Sequence, residues 1–87
     1  MSGFAADVIG LVGSALFLGA FAYANFSPAL DKLWFNAANL VGSVLLLISL
    51  SIHFNLAATV LETVWGLIAA AGLIAAIRKR SRARATS

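Results

Sequence analysis

Residues 56–77 read LAATVLETVWGLIAAAGLIAAI, an apolar run interrupted by a single charged side chain, Glu62. Roughly 20 apolar residues in an α-helix cross the hydrocarbon core of a bilayer, so this run is long enough for one span. Two further runs share its character, Val8–Ala24 and Leu33–Ile52. Of the chain's 87 residues, 62% are hydrophobic and only 10% are charged. A soluble domain of this length needs far more polar surface than that. The expected fold class is therefore all-α, an integral membrane three-helix bundle. Residues 1–77 form the transmembrane domain, with helices at about 8–24, 28–52 and 56–77. Residues 78–87 are a basic tail without apolar periodicity, expected to be disordered and cytoplasmic.

The distribution of charge sets the expected orientation. Five of the six basic residues are Arg78, Lys79, Arg80, Arg82 and Arg84, and the sixth, Lys32, lies in the first connection. The second connection, around His53-Phe54-Asn55, carries no Lys or Arg, and neither does the N-terminal segment. Basic segments stay on the cytoplasmic side, and in a three-span chain Lys32 and the tail share a side. The expectation is an N-terminus outside and a C-terminus inside, in the inner membrane of a bacterial cell. Ala22-Tyr23-Ala24 has the small-x-small form of a signal-peptide cleavage site. A signal peptide also needs a basic leader, and the first charge here is Asp7, so the first helix is expected to be retained.

Small and polar residues mark the faces expected to pack. Asp7 is expected to cap helix 1, which then carries Gly10, Gly13 and Ser14 on one face. Ser27-Pro28 resembles a helix N-cap followed by proline at the first helical position, which would start helix 2 at Pro28. Within helix 2, Asn36, Asn39 and Ser43 fall within about 60° of one another at 100° per residue. Helix 3 carries Thr59, Glu62, Gly66, Ala69 and Ala76 on one side, flanked by Trp65 and Gly72. Polar groups inside a membrane turn inwards, so these faces are expected to meet.

Glu62 raises the main functional question. An ionised carboxylate at such a depth costs about 2–3 kcal/mol or more in lipid. It can be protonated, can accept hydrogen bonds from Thr59, Trp65 or a neighbouring helix, or can face a water-filled cavity. Stacked by depth, Asn36, Asn39, Ser43, Thr59 and Glu62 would make a broken polar column through the bilayer. The same groups would serve equally as separate interhelical hydrogen bonds, each worth about 0.6–2 kcal/mol.

Other chemistries find little footing. The chain has no cysteine and one histidine, His53, with no metal-ligating constellation in the sequence around it. No nucleotide fingerprint and no Ser-His-Asp arrangement can be traced, so no enzyme activity, cofactor or metal is expected. The basic tail lacks interleaved aromatics, which argues against nucleic acid and for anionic lipid as the partner of Arg78, Lys79, Arg80, Arg82 and Arg84.

Two resemblances follow from these features. The length, three-span layout and basic C-terminal end resemble the SemiSWEET sugar transporters of the PQ-loop group, half-transporters that dimerise around a solute path. Where that group has a Pro-Gln pair near the end of helix 1, this chain has Phe26-Ser27-Pro28-Ala29. A second resemblance is to small uncharacterised bacterial three-span inner-membrane proteins. It rests on Asp7-x-x-Gly10, Asn39-x-x-Gly42 and Glu62-x-x-Trp65. That group more usually has Asn at the position of Glu62, which implies hydrogen bonding rather than proton chemistry there. The expected function is a minimal oligomeric transporter-like protein for a small polar solute, most simply a homodimer, since three helices enclose little volume. The alternative is a non-catalytic accessory subunit packed on a larger membrane complex.

Overall fold

The computed structural model describes residues 1–86, and within them three helices follow one another: α1 (Gly3–Phe26), α2 (Lys32–Leu50) and α3 (Leu56–Thr86). All three are long and apolar enough to cross a membrane. The bundle measures 50 × 23 × 21 Å, with its long axis close to the length that the residues of α3 require at about 1.5 Å each. The short connections 27–31 and 51–55 fold the chain into consecutive antiparallel pairs. The middle helix, α2, is the centre of the arrangement: α1 packs on one side of it and α3 on another, while the α1 and α3 backbones do not pack on each other.

Helix ends differ from the expected ones, each for an identifiable reason. Ser2, not Asp7, caps α1, its Oγ accepting from the Ala5 N–H at 3.1 Å. Asp7 therefore lies within the helix. Ser27 closes α1 instead of opening α2: its N–H donates to the Tyr23 carbonyl at 2.9 Å, and its Oγ donates to the Ala29 carbonyl at 2.9 Å. Pro28 consequently lies in the turn, and α2 begins at Lys32, with Asp31 as its N-cap through a 3.0 Å bond from the Leu33 N–H. A carboxylate at that position also meets the positive end of the helix dipole. At the other connection, Asn55 Oδ1 accepts from the Ala58 N–H at 3.1 Å and so caps α3.

The largest departure is the basic segment. It was expected to be disordered from residue 78, but α3 runs on through Arg84 without a break. Ala, Arg and Lys are among the strongest helix formers, and residues 78–86 contain neither glycine nor proline. A preformed helix spares the segment its nucleation step, and cations at a helix C-terminus meet the negative end of the dipole. Ser87, the last residue of the expected tail, lies outside the described residues.

Packing between α1 and α2 depends on small residues. Ala6, Gly13 and Ala20 are the buried residues of α1, spaced at heptad intervals along one seam. Gly13 and Gly42 meet there. A Cβ on Gly13 would lie 2.9 Å from the Gly42 carbonyl oxygen, and one on Gly42 would lie 3.1 Å from the Gly13 oxygen. Each glycine thus turns a Cα–H towards the opposite carbonyl, the geometry of weak Cα–H···O contacts at close helix crossings. Gly10 packs against the Ser49 side chain, and Phe17 lies over Gly42. Ser14 is only partly buried. Buried residues make up 17% of the apolar window in α1 and α2 and 11% in α3, so most of the apolar surface faces outwards.

Candidate functional site

The α2–α3 interface gathers the polar side chains. Ser43, 1% exposed, lies where α3 presents Gly66. A Cβ on Gly66 would come within 3.2 Å of the Ser43 Cβ, so the absence of a side chain there lets α3 approach. The Ser43 Oγ donates towards Glu62, 3.4 Å from both the carboxylate Oε2 and the main-chain carbonyl. These are long bonds, at the edge of hydrogen-bonding distance.

One turn before Ser43 in α2, Asn39 is 6% exposed and has both ends of its amide engaged. Its Oδ1 accepts from the Trp65 indole N–H at 3.0 Å, and its Nδ2 donates to the Phe35 carbonyl at 2.8 Å. The Trp65 ring reaches past α2 to Phe17 of α1, with centroids 6.4 Å apart and planes tilted by 59°. This is a favourable edge-to-face range, and it links α1 to α3 through side chains alone. Asn36 donates to the Lys32 carbonyl at 2.8 Å and lies against Gly72, where an added Cβ would be 2.5 Å from its Oδ1. Ala69, 3% exposed, completes the interface.

Four of the five residues expected to line a polar column therefore sit between α2 and α3, but as local pairs. Thr59 does not join them, since its hydroxyl donates to the Asn55 carbonyl at 2.8 Å on its own helix. Trp65 serves Asn39 rather than Glu62. Among the described residues, no buried side-chain N or O lacks a hydrogen-bond partner. A narrow cleft of about 170 Å³ opens beside the pairs, lined by Phe35, Asn36, Asn39, Trp65, Ile68 and Ala69.

Each end of the bundle has a polar tie that sequence reasoning missed. At the 27–31 end, Asp31 joins all three helices. Its N–H donates to the Tyr23 hydroxyl at 2.6 Å, its Oδ1 caps α2, and its Oδ2 pairs with the Arg80 guanidinium of α3. Arg80, one of the basic residues expected to contact lipid, pairs with a carboxylate, which the helical form of the segment makes possible. At the opposite end, His53 Nε2 lies 3.0 Å from Asp7 Oδ1 and 3.4 Å from the Gly3 carbonyl. Both partners are exposed. Among the described residues, no group of three or more His, Cys, Asp or Glu is placed to hold a metal.

Comparison with known proteins narrows the identity to a family. No curated protein and no solved structure matches the chain. The likeness to the SemiSWEET half-transporters finds no support. A family model does match, over residues 6–80, which take in most of each helix and the Asp31–Arg80 and Asp7–His53 pairs. The chain belongs to this family of small, uncharacterised bacterial proteins.

Proposed function

We propose that the chain is a non-catalytic, multi-pass subunit of the bacterial inner membrane that packs against other membrane helices, with its N-terminus outside and its C-terminus in the cytoplasm. The observation that carries this is the internal pairing of the polar groups. Ser43 is directed to Glu62 and Asn39 to Trp65, so their hydrogen bonds join α2 to α3 within one chain. The outward faces are apolar, with Leu67, Ile68 and Ile74 of α3 at least half exposed. Such surfaces are covered in a membrane by lipid or by other helices. The orientation rests on Lys32 and the basic end of α3, which lie at the same end of the bundle.

A second reading is the oligomeric, transporter-like protein for a small polar solute. The cleft beside Asn36 and Asn39 favours it, because two copies facing one another there would enclose a polar-edged space. Photo-crosslinkers at Leu67 and Ile74 on the intact chain in its native membrane separate the two. Crosslinks to a different membrane protein support the packing subunit. Crosslinks to a second copy, together with solute flux in liposomes that Asn39→Leu abolishes, overturn it in favour of the transporter-like dimer. A cytoplasm-only fluorescent reporter fused to the C-terminus should be bright; periplasmic reporter activity there would reverse the orientation.

A further inference from the structure

A cleft of about 510 Å³ lies at the 27–31 end, between the α1–α2 connection, the first turn of α2 and the basic end of α3. Its lining includes Leu30, Asp31, Lys32, Leu33, Lys79 and Arg80. Three cations thus face one carboxylate, and that carboxylate is already matched by Arg80. Lys32 and Lys79 supply the remaining positive charge, from two different helices. The other walls are apolar, from Leu30, Leu33 and alanines that include Ala76.

The cleft straddles a boundary along α3. Ala76 belongs to the apolar run that ends at Ile77, whereas Lys79 and Arg80 lie just beyond it. Trp34, 66% exposed, stands one residue past the lining at the same end, where an amphipathic ring suits a membrane interface. A soluble anion would use the cations and leave the apolar walls bare. A molecule with a phosphate next to hydrocarbon uses both. We infer that this cleft binds one anionic phospholipid of the cytoplasmic leaflet, its phosphate between Lys32 and Lys79 and its upper acyl carbons against Leu30 and Leu33. The Asp31–Arg80 pair positions α3 so that the two lysines converge. This inference rests on the membrane placement proposed above.

The test uses the intact chain in nanodiscs of phosphatidylcholine with added phosphatidylglycerol, and native mass spectrometry of the lipid retained on release. The parent protein should retain one phosphatidylglycerol per chain. Lys32→Gln with Lys79→Gln should weaken retention by at least about 30-fold, since two charge-assisted contacts are lost. Arg78→Gln with Arg84→Gln removes the same charge outside the cleft lining and should change retention by under about threefold, through a screened long-range effect alone. Equal losses in the two double variants would overturn the site in favour of diffuse attraction to the bilayer. Displacement of the lipid by excess inorganic phosphate would overturn it in favour of a soluble anion. Carbonate extraction of cell membranes separates the underlying assumption: a chain released by carbonate fails the membrane placement itself, whereas a retained chain with indistinguishable variants fails only the lipid site.

Discussion

Gly13 offers the sharpest test of how α1 is held. An alanine there would place its Cβ 2.9 Å from the Gly42 carbonyl oxygen and 3.1 Å from both Leu45 Cβ and Leu46 Cγ. Non-bonded heavy atoms are comfortable at about 3.5–4.0 Å, so relief requires α1 and α2 to separate by about 0.5 Å or more. The nearest obstacle is backbone, which cannot rotate away. Overpacking of this kind costs about 1–3 kcal/mol. Against it stands the gain in helix propensity from glycine to alanine, about 0.8–1.0 kcal/mol in soluble helices. The expected net effect of Gly13→Ala is a loss of up to about 2 kcal/mol, the steric term offsetting or outweighing the propensity term.

Gly19 is the internal control. A Cβ there meets nothing within 4 Å, so Gly19→Ala keeps the propensity gain without the collision and should be neutral or slightly stabilising. The assay is unfolding by sodium dodecyl sulfate in mixed micelles, followed by tryptophan fluorescence from Trp65, whose ring lies near Phe17 of α1. Gly42→Ala should resemble Gly13→Ala. The double variant should be less harmful than the two effects added, because both substitutions open the same contact. Identical midpoints for Gly13→Ala and Gly19→Ala would refute the close glycine crossing.

Three further substitutions probe the polar ties. Trp65→Phe leaves the buried Asn39 Oδ1 without its donor and should cost about 1–2 kcal/mol in a sodium dodecyl sulfate titration followed by circular dichroism, while Trp34→Phe should cost much less. Asp31→Ala removes both the cap of α2 and the partner of Arg80; hydrogen exchange should show faster exchange at the Leu33 amide, and Asp31→Asn should restore the cap but not the ion pair. His53→Ala should lower stability by under about 1 kcal/mol, because the pair with Asp7 is exposed at both ends; a larger loss would mean that the second connection is held more tightly than its exposure implies.

What could be read in advance divides along physical lines. The three apolar runs and the small-residue seams were legible, because both are properties of single helices with a period of 3.6. Asn39, Ser43, Glu62 and Gly66 share faces by the same period, and the structure places them where α2 and α3 meet. Their partners were not legible from faces alone, since a face gives an angle and not a depth. The depths follow once α2 and α3 are taken as an antiparallel pair about a short connection. Ser43–Glu62 and Asn39–Trp65 are both centred on residues 52–53, the middle of that connection. Thr59 shares the face but has its own helix carbonyl within reach, and a local bond forms first. The basic end of α3 carries no apolar periodicity to mark it as helix, yet intrinsic propensity and an existing helix are enough to continue one. The link from Asp31 to Arg80 depends on that continuation.

The two sides of α2 are held by different chemistry, and this predicts that they can be released separately. Gly42 meets α1 through close backbone contact, while its neighbour Ser43 meets α3 through hydrogen bonding, and Asn39 does the same one turn away. Contacts of the first kind depend on shape. Those of the second depend on donors and acceptors that a single substitution removes. The chain has no native cysteine, so introduced pairs report each side independently. Gly10→Cys with Ser49→Cys reads the α1–α2 side, and Asn36→Cys with Gly72→Cys reads the α2–α3 side; a Cβ added at Gly10 would lie 3.2 Å from the Ser49 Cβ, and one added at Gly72 would lie 2.7 Å from the Asn36 Cγ. Adding Ser43→Ala and Trp65→Phe removes both polar clasps, worth together about 1–3 kcal/mol, and should slow oxidation of the 36–72 pair by about fivefold or more. Oxidation of the 10–49 pair should stay within about twofold of its starting rate, because independent contacts respond independently. If both pairs slow together, the bundle opens as one cooperative unit. Because Trp65→Phe also alters the Phe17–Trp65 contact between α1 and α3, Ser43→Ala alone then shows whether that contact couples the two sides.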